Sequence, residues 1–302
     1  MKKNNYKVWL QAFRLRTLPL ALANAVMGSF LALADGGFRW PVFILTIVTI
    51  TFLQILSNLA NDYGDAVSGK DTVERLGPQR VTATGLVTMK AIKRMVIVFV
   101  LLAMGTGTTL ILVGLNNLSW KQLLIFFGLG LAAIVAAIKY TMGRNPYGYK
   151  GLGDIFVFIF FGLVGVMGTY YLHTHWLEIS LFYPAAAIGL LSTGVLNINN
   201  LRDIETDAKT GKNTLAVKNG PGFAKAYHLV LVSAAMLFAM AYTITQYYSP
   251  WQWIFLFSVP LFIRNVMRVY HHKTSDELNN ELKNLALATF FFALTFGIGL
   301  VI

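Results

Sequence analysis

Residues 64–71 read GDAVSGKD. The octapeptide is one residue away from the phosphate-binding loop G-x-x-x-x-G-K-[ST], with Asp71 where Ser or Thr belongs. Such a loop follows a buried strand and opens a helix in a soluble α/β domain. Here the preceding run, residues 41–60, is apolar throughout and long enough to cross a bilayer. The stretch fails as a nucleotide loop, and what surrounds it decides the fold.

The chain has 302 residues, 56% hydrophobic and only 13% charged. A soluble domain carries about a quarter charged residues, so this chain belongs in a membrane. Nine apolar runs are long enough to be spans: roughly 17–34, 41–60, 95–114, 122–139, 155–172, 179–199, 226–244, 251–269 and 285–302. They are continuous rather than alternating, which predicts helices and not a barrel. The basic stretch from Lys2 to Arg16 leads into a run long enough to span, so it reads as an anchor and not a cleavable signal. Cysteine is absent, which excludes disulfides and thiolate metal sites.

A net charge of +12 invites a nucleic-acid reading, but the distribution argues against that partner. With nine spans, 23 of the 25 Lys and Arg residues fall on one side, leaving only Arg39 and Lys121 on the other. The positive-inside rule puts that side, the N-terminus included, in the cytoplasm and the C-terminus outside. The expected location is the bacterial cytoplasmic membrane.

Eleven of the 13 acidic residues lie on the cytoplasmic side, four of them in 62–74 and three in 203–207. These two windows are copies. DAVSGKDT (65–72) repeats as DAKTGKNT (207–214), and Asn58-x-x-x-Asp62 repeats as Asn199-x-x-x-Asp203. Each copy ends an apolar helix, and four spans separate them, so the repeat is parallel about the membrane normal. The sequence therefore predicts an all-α integral membrane protein with nine transmembrane helices. Two parallel four-helix repeats and a ninth helix surround a central cavity opening to the cytoplasmic side. One transmembrane domain covers 1–302, with repeat one at about 17–140, repeat two at about 154–270 and the ninth helix at about 285–302.

Spacing puts Asn58, Asp62 and Asp65 on one helical face, and Asn199, Asp203 and Asp207 on another. If the faces oppose each other, at least four carboxylates meet and repel unless a cation joins them. All-oxygen ligands without His or Cys point to Mg²⁺, which shares its shell with substrate phosphates. The plainer alternative is two helix ends with solvated acids. Lys70, Lys212 and Arg202 flank the acids and supply charge for a diphosphate.

The stretches NLANDYGDAVSGKD (58–71) and NINNLRDIETDAKTGKNTLA (197–216) resemble the two aspartate-rich motifs of the UbiA superfamily of membrane prenyltransferases. RLGPQRVTATGLVT (75–88) and YTMGRNPYGYKGLGD (140–154) resemble its dihydroxynaphthoate branch. The family's first motif, N-D-x-x-D-x-x-x-D, is matched by Asn61, Asp62 and Asp65 but has Gly69 in the last place, with Asp71 two residues on. Its Tyr-x-x-x-Lys element is most closely matched by Tyr140-x-x-x-Arg144, with Lys150 nearby.

The resemblance implies a polyprenyl diphosphate donor drawn from the lipid phase, a 1,4-dihydroxy-2-naphthoate acceptor, and menaquinone synthesis. Arg144 joins the diphosphate-binding candidates, and Tyr140 and Tyr147 are candidates for facing the allylic cation. Asp154 either orients the acceptor or caps its helix. Arg16, Asn24 and Tyr147 are candidates to hold the acceptor, with membrane anchoring the alternative for Arg16. Two rivals stay open: a prenyltransferase for 4-hydroxybenzoate, homogentisate or haem, and a transporter or cation channel. His173, His175, His271 and His272 read as structural, and Gly162-x-x-Gly165-x-x-Gly168 as close helix packing.

Overall fold

A computed structural model describes residues 5–70, 81–82, 85–115 and 119–302. Asp71, Glu74 and most of the 75–88 stretch lie outside the described residues.

The chain opens with α1 (Asn5–Phe13), a 3₁₀ turn at Leu15–Thr17 and α2 (Leu18–Ala34). Next come α3 (Trp40–Val67), α4 (Met89–Gly114) and α5 (Trp120–Lys139). A short 3₁₀ turn, Tyr147–Lys150, precedes α6 (Gly153–Val157), which runs through a π-helical stretch (Phe158–Met167) into α7 (Gly168–Thr174). Then follow α8 (Phe182–Arg202), α9 (Ile204–Lys209) and α10 (Leu215–Thr245). A 3₁₀ segment (Pro250–Ser258), α11 (Val259–His271) and α12 (Ser275–Val301) complete the chain. No strand occurs among the described residues, and nine segments there are long and apolar enough to cross a membrane.

The ends of these helices follow local chemistry. Thr88 and Thr214 each accept a backbone N–H from three residues on, capping α4 and α10. Ser119 and Gln122 form a reciprocal capping box at α5. Pro19 and Pro41 occupy first-turn positions, where the missing N–H costs nothing.

Several boundaries differ from the sequence expectation. The first span is preceded by α1, too short to cross a bilayer. The seventh begins at Leu215 rather than near 226, because Gly220 takes φ 84° and lets Pro221 continue the helix after a kink. The ninth begins at Ser275 rather than 285, its first turns carrying Asp276, Glu277 and Glu281. Glu281 is buried there, accepting from Asn265 at 2.9 Å and pairing with Arg268 at 3.3 Å.

The core also divides differently from the sequence halves. The largest cluster draws on α2, α8, α10 and α12 together, whereas α1, α3, α4 and α5 share a second. The first spanning helix thus packs with the last, its Phe30 ring lying against Gly297. Small residues allow other close contacts: a Cβ on Gly162 would lie 2.6 Å from the Ala185 carbonyl, and one on Gly165 2.8 Å from Asn24 Nδ2. Gly168, the third of that series, faces open space.

On the side away from the two motifs, His173 is satisfied by Ser29 and the Arg39 N–H. Arg39 donates to the Gly114 and Val113 carbonyls. These contacts give His173 and Arg39 a structural role.

Candidate active site

The first motif forms the end of α3. Asn58, Asp62 and Asp65 are all buried on one continuous helix, as their spacing predicts. The second motif is not continuous. Helix α8 ends at Arg202, Asp203 takes a non-helical conformation, and Asp207 lies on α9. One hydrogen bond, Asp207 N–H to Asp203 O at 2.8 Å, keeps the turn across that break.

Beyond the acids the two copies close in the same way. Lys70 N–H reaches back to the Asp65 carbonyl at 2.9 Å, and Lys212 N–H to the Asp207 carbonyl at 2.8 Å. Gly69 N–H bonds the Ala66 carbonyl, and Gly211 N–H the Ala208 carbonyl. With φ of 68° at Gly69 and 72° at Gly211, both are left-handed helix ends that glycine adopts without steric cost. Ser68 and Thr210 each fold a hydroxyl back onto the carbonyl four residues before. The sequence repeat is therefore a repeat of local backbone structure.

The copies also meet. Lys212 Nζ lies 3.2 Å from Asp65 Oδ2 and 3.4 Å from Asp207 Oδ1, so one ammonium joins a carboxylate from each copy. In return, Lys70 Nζ donates to the Gly211 carbonyl at 3.3 Å. Burial pushes the Asp207 carboxyl up, with Lys212 opposing the shift. Burial, followed by the charge of Lys212, pulls the Lys70 ammonium down.

Asp62 and Asp203 are held by arginines. Arg14, in a left-handed conformation at the end of α1, pairs with Asp62. Arg202, itself buried, binds both oxygens of Asp203 at 2.8 and 2.6 Å. Such a two-point pair is short and directional. Its remaining donors go to Asn199 Oδ1 at 2.8 Å and Asn279 Oδ1 at 3.0 Å.

Both motif asparagines already have partners within the protein. Asn199 gives its oxygen to Arg202. Asn58 spends its amide nitrogen on the Phe13 carbonyl at 2.9 Å and Thr17 Oγ1 at 3.1 Å, tying down the entry to α2. Among the described residues, no three acidic or His side chains gather as a metal-holding set. Cations stand between the carboxylates instead.

The 140–153 segment bridges the two motifs. The Tyr140 ring packs where Cβ atoms on Gly148 and Gly153 would each lie 3.0 Å from it. Burial, then the charge of Asp154, pushes its phenol well above the usual range, so it stays protonated. Tyr147 meets Tyr140 edge-on at 5.4 Å and stacks on Phe156 at 4.0 Å, while its hydroxyl donates to the Ala136 carbonyl at 2.8 Å. Asn213 N–H donates to the Tyr149 carbonyl at 2.8 Å, joining this segment to the second motif. Arg144 is exposed and pairs with no acid among the described residues.

Asp154 lies buried in the first turn of α6. It is not the cap, a place held by Leu152. Its Oδ1 has no hydrogen-bond partner, and its carboxylate faces the Tyr227 hydroxyl. Asn24 is buried in α2 against Gly165, and its Oδ1 also lacks a partner. Arg16 is exposed, close enough to Arg14 and Arg202 to feel both charges, and pairs with no acid among the described residues. No hydrogen bond joins Arg16, Asn24 and Tyr147, which the sequence placed together.

Sequence reasoning missed Arg14 and Tyr149. Arg14 was counted only as an orientation charge, and its partner lies 48 residues away. No spacing rule points from Tyr149 to Asp65, which accepts its hydroxyl hydrogen bond.

Comparison with known proteins extends this picture. The model of the UbiA prenyltransferase family matches residues 21–301. The chain is 44% identical to a 1,4-dihydroxy-2-naphthoate octaprenyltransferase of Haemophilus influenzae, covering 100% of this chain and 98% of that protein. It is 41% identical to the protein of the same description in Escherichia coli, covering 97% and 95%. Among solved structures it resembles a UbiA homolog from Aeropyrum pernix K1, with a TM-score of 0.65 at 16% identity over 100% and 98% of the two chains. A UbiA homolog from Archaeoglobus fulgidus bound to GPP and Mg2+ gives a TM-score of 0.62 at 17% identity, covering 97% and 99%. At those identities the structures speak to fold alone.

Proposed function

The chain belongs to the UbiA prenyltransferase family, and on that premise we propose that it moves a polyprenyl group from polyprenyl diphosphate to 1,4-dihydroxy-2-naphthoate. Diphosphate and CO₂ leave, and a demethylmenaquinone-type product of menaquinone synthesis results. The whole-chain identity of 41–44% to two 1,4-dihydroxy-2-naphthoate octaprenyltransferases supports this acceptor over 4-hydroxybenzoate, homogentisate or haem. The enzyme names of those relatives support a transferase over a transporter or channel. The observation that carries the chemistry is Lys212 shared between Asp65 and Asp207, which puts both motifs at one place.

Asp62, Asp65, Asp203 and Asp207 are the residues that would hold Mg²⁺. Their hard, all-oxygen donor set suits it, and the cations now beside them are the charge it would share. When bound, the metal supplies charge neutralisation for the diphosphate.

Lys70, Lys212 and Arg202 stand beside these acids, ready to face phosphate oxygens as the allylic C–O bond breaks and its electron pair leaves with the diphosphate. Arg144, exposed and without an acidic partner, is available to the same anion. Tyr140 and Tyr147, half-buried and protonated, offer ring faces to the allylic cation and exclude water. The naphthoate ring attacks through the carbon bearing its carboxylate. The bond to that carboxylate then breaks, CO₂ leaves, and its electrons restore aromaticity. The orphaned buried oxygens of Asp154 and Asn24 are acceptors suited to the naphthoate hydroxyls, and Arg16 to its carboxylate.

The bias of Lys and Arg supports a cytoplasmic N-terminus and active site in a bacterial cytoplasmic membrane, with the C-terminus outside. A single domain with parallel repeats around a cavity open to that side belongs to the same reading. The matching left-handed helix ends at Gly69 and Gly211 support the repeat.

An acceptor competition tests the proposal. Purified protein in lipid is given Mg²⁺, an octaprenyl diphosphate donor and equal amounts of 1,4-dihydroxy-2-naphthoate, 4-hydroxybenzoate and homogentisate. Prenylated naphthoate should dominate. Preferential prenylation of either other acceptor would reject the assignment.

A further inference from the structure

Tyr149 touches both motifs at once. Its hydroxyl donates to Asp65 Oδ1 and lies 3.2 Å from Ser68 Oγ, both in the first motif. Its carbonyl accepts from Asn213 in the second. Lys70 Nζ stands 4.3 Å from the centre of its ring, and Lys212 Nζ 5.2 Å. One side chain therefore contacts a lysine from each copy and a carboxylate that one of those lysines shares.

The lysines are otherwise occupied within the protein, Lys70 by the Gly211 carbonyl and Lys212 by two carboxylates. A diphosphate entering the site draws both ammonium groups toward its oxygens, and each must turn away from those partners. Two free lysines drawn together also repel one another. An aromatic face attracts an ammonium without fixing its direction, so each can keep the Tyr149 ring while its hydrogen bonds change. The hydroxyl does separate work: its bond holds Asp65 in place while Lys212 leaves.

We propose that Tyr149 is a positioning residue of the donor site, whose ring keeps Lys70 and Lys212 side by side for the diphosphate and whose hydroxyl orients Asp65. This rests on the diphosphate-binding role given to that site above. The two functions sit on different atoms and separate by substitution. Tyr149→Phe keeps the ring and loses the hydroxyl. Tyr149→Leu loses both while keeping bulk at the loop.

The test is calorimetric titration of the full-length protein in lipid nanodiscs with inorganic pyrophosphate at several Mg²⁺ concentrations. Tyr149→Phe should bind pyrophosphate within about threefold of wild type at saturating Mg²⁺, but need more Mg²⁺ to reach half its affinity. Tyr149→Leu should bind about tenfold more weakly even at saturating Mg²⁺, the size expected for loss of a partly desolvated cation–π contact. Its KM for the donor should rise in parallel, with the acceptor KM unchanged.

Equal weakening by both variants would overturn the role of the ring. Wild-type affinity in Tyr149→Leu would overturn the proposal. A wild-type protein that ignores pyrophosphate would instead overturn the donor-site reading itself, and this proposal with it.

Discussion

Lys212 Nζ lies 3.2 Å from Asp65 Oδ2, joining residues 147 apart in sequence and one motif to the other. The same ammonium is 3.4 Å from Asp207. Lys212→Met should leave two buried carboxylates facing each other without their cation. Turnover should fall about 10²-fold or more, the usual consequence of losing one preorganised electrostatic group. Lys212→Arg should recover part of it. Steady-state kinetics in proteoliposomes measures both.

Arg14 and Asp62 are coupled across 48 residues of sequence. A double-mutant cycle with Arg14→Ala and Asp62→Ala should give a coupling energy of about 1–3 kcal/mol in folding stability. Purely additive losses, read from thermal or denaturant unfolding in detergent, would contradict the pairing. Asp62→Ala and Asp203→Ala should each also abolish prenyl transfer.

Gly148 makes room for Tyr140. A Cβ there would lie 2.6 Å from the Tyr140 carbonyl and 3.0 Å from its ring. Gly148→Ala should destabilise the protein by about 1–3 kcal/mol through overpacking, and lower turnover by displacing the tyrosine. Gly168→Ala, where nothing lies within 4 Å, is the control and should change neither. Melting temperature and initial rate report the two effects.

Removing divalent metal should stop the reaction. Chelation with EDTA should abolish product, and Mg²⁺ should restore it. Mg²⁺ with pyrophosphate should also raise the melting temperature, because a ligand held only by the folded state stabilises it by mass action. Activity that survives exhaustive chelation would remove the metal from the account.

Arg16 is exposed beside Arg14 and Arg202, with no acid on it among the described residues. Arg16→Ala should raise the KM for the naphthoate about tenfold or more, as expected when a charge-assisted hydrogen bond of about 1.5–3 kcal/mol is lost. The donor KM should stay within about twofold on that scale. A matched rise in both would make Arg16 a structural charge.

Much of this molecule is legible in its sequence because a bilayer imposes long apolar runs, which composition alone exposes. The acids stand out against such a background, and Asp65 and Asp207 with their Gly-Lys ends are recognisable as copies. Asp203 shows where reading stops. Its spacing from Asn199 suits a helix, yet the helix breaks there, and its carboxylate is held by the adjacent Arg202. Helix α1 escaped notice because nine residues are too few for a span. The seventh helix starts well before its apolar run, because Gly220-Pro221 only kinks it. The partners of Arg14 and Tyr149 lie 48 and 84 residues away, where no periodicity reaches.

The central claim is decarboxylative prenyl transfer at the paired motifs, and the most direct measurement is its stoichiometry. Purified protein in lipid is supplied with Mg²⁺, a polyprenyl diphosphate and carboxyl-labelled 1,4-dihydroxy-2-naphthoate, and prenylated product, CO₂ and diphosphate are counted together. The account predicts equal amounts of all three from the wild type and none from Asp203→Ala. A prenylated product that retains its labelled carboxylate, or undiminished turnover in Asp203→Ala, would contradict it.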